Sequence, residues 1–206
     1  MLKNIKWLFF DLGSTLIDES ECAEYRIREL LKQSNSPSRE VLERRMKEYS
    51  SQNRLPYKDT AKEFGLETIK WPHHLEKIYE CVPEVLEKLK KKYQLGVIAN
   101  QSFGTEERLT EYGIRHYFDV IASSAEEGIS KPDLRIFEIA LAKAKCVPDE
   151  ACMIGDRLDN DIDPASRLGM STVWVKQGSF ACGNVNLISR KPDLMIERIE
   201  DLLLYI

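Results

Sequence analysis

The chain has 206 residues, of which 43% are hydrophobic and 31% charged, with a formal net charge of −4. That is enough apolar material for a globular core, too little charge imbalance for a disordered chain, and too little basic character for a nucleic-acid surface. No apolar run approaches the roughly 18 residues of a membrane span, and the five cysteines form no C-x-x-C pair, so a cytoplasmic protein without membrane or nucleic-acid partners is expected.

Ile5 to Phe10 is a nearly continuous apolar run, which predicts a strand buried on both faces, and it ends in Asp11, Gly13, Ser14 and Thr15. Residues 18–82 offer no convincing strand and several amphipathic windows, which predicts an all-helical insertion. Within it Ser36-Pro37 reads as an N-cap and first-turn pair for a helix continuing through Arg39 to Ser50, and Pro56, Gly65 and Pro72 punctuate later helices. Helical period then returns at Val85 to Lys92, Glu106 to Tyr112, Arg135 to Lys143 and Ile162 to Leu168. Short apolar runs alternate with these at Leu95 to Ala99, Val120 to Ala122, Ala151 to Ile154 and Val173 to Val175, with a last one at Leu194 to Ile196. Such alternation predicts right-handed βαβ units and an α/β fold, a doubly wound, mostly parallel sheet with helices on both faces. The expected organisation is an α/β core of residues 1–17 and 83–206 interrupted by a helical unit of residues 18–82.

In an open parallel sheet the ligand crevice lies beyond the carboxyl ends of the strands. The residues there are Asp11 to Thr15, Asn100 and Ser102, and Asp156 to Asp161, with Lys131-Pro132 opening a helix that could bring an ammonium group to the same place. Carboxylates gathered together repel one another, and a hard divalent cation bound through oxygen is the natural compensation, which favours magnesium. Asp159 and Asp163 read as acids at a helix N-terminus, His73 and His74 as the start of a surface helix, and the cysteines as buried apolar residues.

Phe9-Phe10-Asp11-Leu12-Gly13-Ser14-Thr15-Leu16 resembles the first motif of the haloacid dehalogenase superfamily. Lys131-Pro132 with Ile136-Phe137 resembles its lysine motif, and Ile154 to Asp161 its acidic motif. The helical insertion after the first motif is similar to the cap of that superfamily's largest subgroup, set on a Rossmann-like core. The resemblance implies a magnesium-dependent phosphohydrolase acting on a small phosphorylated metabolite. In that scheme Asp11 is the nucleophile that becomes phosphoaspartate, and Lys131 offsets negative charge. It further implies Mg2+ held by Asp11, the backbone carbonyl of Gly13, Asp156 and Asp161. Thr15 would steady the Asp11 loop, and Asn100 would bind the phosphoryl group.

Two positions depart from the pattern. Gly13 stands where phosphatases of the family usually carry a second aspartate for acid-base chemistry, and a stand-in for that acid is the alternative to the surface reading of His73 and His74. Ala99 stands where a hydroxyl usually meets the phosphate, and Ser102 could replace it only if the loop turns back. These departures keep two alternatives open: a catalytically weak relative that binds a ligand or partner, and a metal-independent haloacid dehalogenase. Neither the substrate nor the oligomeric state is marked by any motif.

Overall fold

The computed structural model describes residues 4–205. Its centre is a six-stranded sheet built from β1 (Trp7–Phe10), β4 (Gln94–Ala99), β5 (Val120–Ser123), β6 (Ala151–Gly155), β7 (Ser171–Val175) and β8 (Leu194–Ile196). The spatial order is β5-β4-β1-β6-β7-β8, and every neighbouring pair is parallel. Chain order reverses direction beside β1, so the strand ends of β1, β4 and β6 face one crevice.

The central strands read as unbroken apolar runs because both faces are covered. On one face Phe10, Leu8, Val97 and Ile154 pack with Val85, Leu86 and Leu89 of α4 (Val82–Lys90). On the other, Phe9, Ile98 and Met153 pack with Ile136, Phe137 and Ala140 of α7 (Leu134–Ala144). Asp133 caps α7 by accepting the backbone N–H of Arg135 at 3.0 Å.

Three helices, α1 (Ser20–Leu31), α2 (Arg39–Ser50) and α3 (Pro56–Glu63), follow the first strand and gather their own apolar cluster of Leu30, Leu42, Ala61 and Leu66. The expectation of no strand between residues 18 and 82 is corrected. Asp18 and Ile17 form β2 (Ile17–Asp18), which pairs antiparallel with β3 (Lys77–Ile78), so a two-stranded ribbon frames the helices. Two residues are too few to leave a period in the sequence, and the pairing joins segments some sixty residues apart. The start of α2 is also corrected. Its N-cap position is Ser38, extended at φ −64 and ψ 160, rather than Ser36, because the first backbone N–H groups to turn back, those of Val41 and Leu42, both donate to Ser38 O at 3.1 Å.

The cysteine expectation holds only for Cys22 and Cys152. Cys81 and Cys146 are half-buried and Cys182 is exposed, and all five are free thiols. No helix is long and apolar enough to cross a membrane among the described residues.

Candidate active site

Four segments converge at the carboxyl edge of the sheet. Asp11 follows β1 directly, and its backbone N–H donates to Ile154 O at 2.9 Å, which ties it to the adjoining strand. Asp156 follows β6. Asp161 belongs to a π-helical turn over Leu158–Ile162, where the N–H groups of both Asp161 (2.9 Å) and Ile162 (3.3 Å) donate to Arg157 O. That widened turn points the Asp161 carboxylate back to the strand end, where its Oδ2 accepts the Arg157 N–H at 2.9 Å. Glycine is required beside it, since a Cβ on Gly155 would lie 2.4 Å from Asp161 Oδ2.

Lys131 arrives from the loop before α7. Its Nζ donates to Asp11 Oδ1 at 2.6 Å, to Asp161 Oδ1 at 2.6 Å and to Ile98 O at 2.9 Å. The lysine is 4% exposed, so these protein oxygens stand in for bulk water around its ammonium. Burial alone would lower its pKa, yet the Asp11 and Asp161 carboxylates outweigh it and hold the ammonium above its ordinary value.

One ligand oxygen from each of Asp11, Asp156 and Asp161 lies within 4.8 Å of the others, and all three residues are buried. Three carboxylates against one ammonium leave two uncompensated charges when all are ionised. The lysine bonds go to Asp11 and Asp161, and Asp156 receives none from the described residues. Accordingly burial, reinforced by Asp11 and Asp161, pushes Asp156 well above the usual carboxylate range. Burial also raises Asp161, to about 6, against the opposing pull of Lys131. An all-oxygen, anionic, buried cluster of this kind fits a hard divalent cation.

The cluster lies on a cleft of about 350 Å³ that Gly13, Asn100 and Ser102 also border. Asn100 does more than face the cleft: its side chain donates to Lys131 O at 2.9 Å and accepts the Lys131 N–H at 2.8 Å, clamping the lysine backbone. Ser102 lies on the wall, exposed. Thr15 is not brought to the cleft. It is fully buried and its hydroxyl has no partner among the described residues, so its side chain neither faces the cleft nor is seen to fasten the loop. Asp159 pairs with Arg157 through two contacts, at 3.1 and 2.5 Å, and Asp163 accepts the backbone N–H of Ser189 at 2.7 Å. Both acids therefore have side-chain partners beyond any interaction with a helix end.

Apart from His73, the other cleft walls carry no role in the sequence reading. Glu19, Trp71, His73, Glu76, Arg157 and Phe180 all border it. His73 is exposed and starts a helical turn as expected, and it borders the cleft as well. It opens a short 3-10 turn, with Nδ1 3.0 Å from Glu76 Oε1. Arg157 stacks over the Phe180 ring, 4.4 Å from its centroid. Glu19 is half-buried, and its Oε2 accepts the Ser14 hydroxyl at 2.9 Å. Burial, aided by Asp11 and Glu76 and opposed by Ser14, lifts its carboxyl to about 7. No motif marks Glu19. The available signal was an acid shortly after a motif in which the expected acid is missing.

Over residues 8–175 the sequence matches the family of haloacid dehalogenase-like hydrolases. It is 32% identical to the glyceraldehyde 3-phosphate phosphatase of Pyrococcus furiosus, across 87% of this chain and 84% of that protein. Among solved structures, the fold resembles a phosphatase of the same superfamily from Thermococcus onnurineus, with TM-score 0.65, 22% identity and 96% of each chain covered. It also resembles the 2-haloacid dehalogenase of Pseudomonas syringae pv. Tomato, with TM-score 0.63 and 25% identity over 97% of this chain and 96% of that one.

Proposed function

The chain belongs to the haloacid dehalogenase-like hydrolases, and on that premise we propose that it is a magnesium-dependent phosphohydrolase acting on a small phosphorylated metabolite through a phosphoaspartate on Asp11. The observation that carries this reading is the Lys131 ammonium bonded to both Asp11 and Asp161, with Asp156 beside them, at one cleft. The glyceraldehyde 3-phosphate phosphatase similarity supports a phosphorylated substrate.

In this mechanism a carboxylate oxygen of Asp11 attacks phosphorus, and the bond from phosphorus to the leaving oxygen breaks. Water then attacks the phosphoaspartate, the new acyl phosphate bond breaks, and inorganic phosphate departs with the Asp11 carboxylate restored. Lys131 orients Asp11 and places positive charge where the phosphoryl oxygens gather negative charge. Asn100 holds Lys131 in place through its backbone. Asp11, Asp156, Asp161 and the backbone carbonyl of Gly13 would hold the Mg2+, which when bound neutralises charge on the phosphoryl group.

Residues 18–82 act in this reading as a cap over the cleft. An adjoining pocket of about 720 Å³ shares Glu19, Trp71 and Phe180 with it and offers room for the body of a substrate. A cytoplasmic setting fits a metabolite substrate.

Release of phosphate from 4-nitrophenyl phosphate, measured with magnesium and after exhaustive chelation, tests the reading. Turnover should vanish on chelation and in Asp11→Asn. Undiminished turnover in Asp11→Asn would overturn it, and halide release from a haloacid without metal, in place of phosphate release, would establish the dehalogenase alternative.

A further inference from the structure

Position 13 has no side chain, yet a carboxylate occupies the space in front of it. A Cβ on Gly13 would lie 2.5 Å from Glu19 Oε1, 3.0 Å from its Cδ and 3.1 Å from Oε2. Any larger residue at position 13 would therefore displace Glu19. Glycine at 13 and glutamate at 19 form one arrangement, in which an acid six residues downstream reaches the place a side chain at position 13 would fill.

We propose that Glu19 is the acid-base residue of this site, an inference that rests on the phosphohydrolase reading above. Three observations carry it. Glu19 borders the same cleft as Asp11 and Lys131. Ser14 donates to Oε2 and fixes the carboxylate, while Oε1, the oxygen nearest Gly13, has no hydrogen-bond partner among the described residues. The other acid on the wall is already engaged: Glu76 Oε1 meets Trp71 Nε1 at 2.5 Å and His73 Nδ1 at 3.0 Å, and its Oε2 accepts the Tyr112 hydroxyl at 3.0 Å. His73 is occupied by that same contact.

The proton balance closes over the two half-reactions. As the bond from phosphorus to the leaving oxygen breaks, that oxygen keeps the electron pair and takes the proton of the Glu19 carboxylic acid, so an alcohol leaves and Glu19 becomes a carboxylate. In the second half Glu19 removes a proton from water as the water oxygen bonds to phosphorus. The electron pair of the breaking acyl phosphate bond returns to Asp11, and Glu19 is protonated again.

The test compares wild type and Glu19→Gln on a series of aryl and alkyl phosphates, reading kcat/KM and the phosphorylation state of the enzyme. An aryl oxide departs as a stable anion and needs little protonation, whereas an alkoxide needs much. Glu19→Gln should lose about a hundred- to ten-thousand-fold on alkyl phosphates and far less on aryl phosphates. With an aryl phosphate it should also release one equivalent of aryl oxide in a burst and then stall with a phosphoryl group on Asp11, because the second half lacks its base. A misfolded variant would give no burst, so the exchange pair provides the control. Gly13→Asp alone should lose activity through its clash with Glu19, and Gly13→Asp combined with Glu19→Ala should recover alkyl phosphate turnover relative to Glu19→Ala. An unchanged dependence on the leaving group in Glu19→Gln, with no burst, overturns the assignment of Glu19 and leaves the phosphohydrolase reading intact. A wild type that releases phosphate from no ester in magnesium overturns both.

Discussion

Replacing Asp156 by Asn should make the metal-free protein more stable and remove its stabilisation by magnesium. The ligand oxygens of Asp11, Asp156 and Asp161 lie within 4.8 Å of one another, and at an effective dielectric near 20 each carboxylate pair at that distance repels by about 3 kcal/mol. Lys131 answers Asp11 and Asp161 directly, which leaves Asp156 facing about one uncompensated repulsion. Asn keeps the volume, removes the charge, and breaks no side-chain hydrogen bond seen for Asp156 among the described residues. The expected gain of about 3 kcal/mol corresponds, for a chain of this length, to a Tm higher by about 6–12 °C at pH 7.5. Asp161 supplies the pH dependence. Its folded pKa, about 6, lies above the ordinary 3.8, so the folded state holds the proton more tightly. Stability is then greatest below about pH 4 as far as this group is concerned and is lost as pH rises through about 6, by about 3 kcal/mol in all. Asp156, raised in the same direction, adds to the loss. Magnesium, which favours the ionised cluster, should therefore raise Tm little at pH 5 and clearly at pH 7.5, by about 2.7 kcal/mol at a hundredfold excess over its Kd. Calorimetry with and without magnesium at the two pH values measures both effects. A lower metal-free Tm in Asp156→Asn, or an undiminished magnesium shift in that variant, would refute the electrostatic argument.

Lys131→Met should remove turnover and also destabilise the fold by about 3–5 kcal/mol, since Asp11 and Asp161 lose the one ammonium they share inside the protein; denaturant unfolding separates this from an effect on catalysis alone. Gly155→Ala should lose magnesium-dependent stabilisation, because the added Cβ would stand 2.4 Å from Asp161 Oδ2 and turn that carboxylate away; an unchanged magnesium shift in Tm would contradict the close approach. Asn100→Ala should lower kcat more than it raises KM, because the clamp on the Lys131 backbone is lost while the cleft keeps its walls, and steady-state kinetics on one aryl phosphate distinguishes this from a direct binding role.

The sheet and the polar carboxyl edge of its strands were legible in the sequence because each depends on neighbours in the chain. A strand covered on both faces must be apolar throughout, and it must end in polar residues where it meets the crevice, so Trp7–Phe10 followed by Asp11, and Ala151–Gly155 followed by Asp156, announce themselves. Lys131 and Asp161 were readable through the order of the short motifs around them. What the tertiary structure alone decided are the contacts between residues that no period or motif relates. The π-helical turn that points Asp161 inward is held by backbone bonds to Arg157, and the Asn100 amide closes on Lys131 from another strand end. The two-residue ribbon of β2 and β3 is too short to signal itself. Glu19 is the sharpest case. In the sequence Gly13 is a missing acid and Glu19 one of many acids near a helix start, and only the folding of the loop between them brings that carboxylate into the space the glycine leaves open.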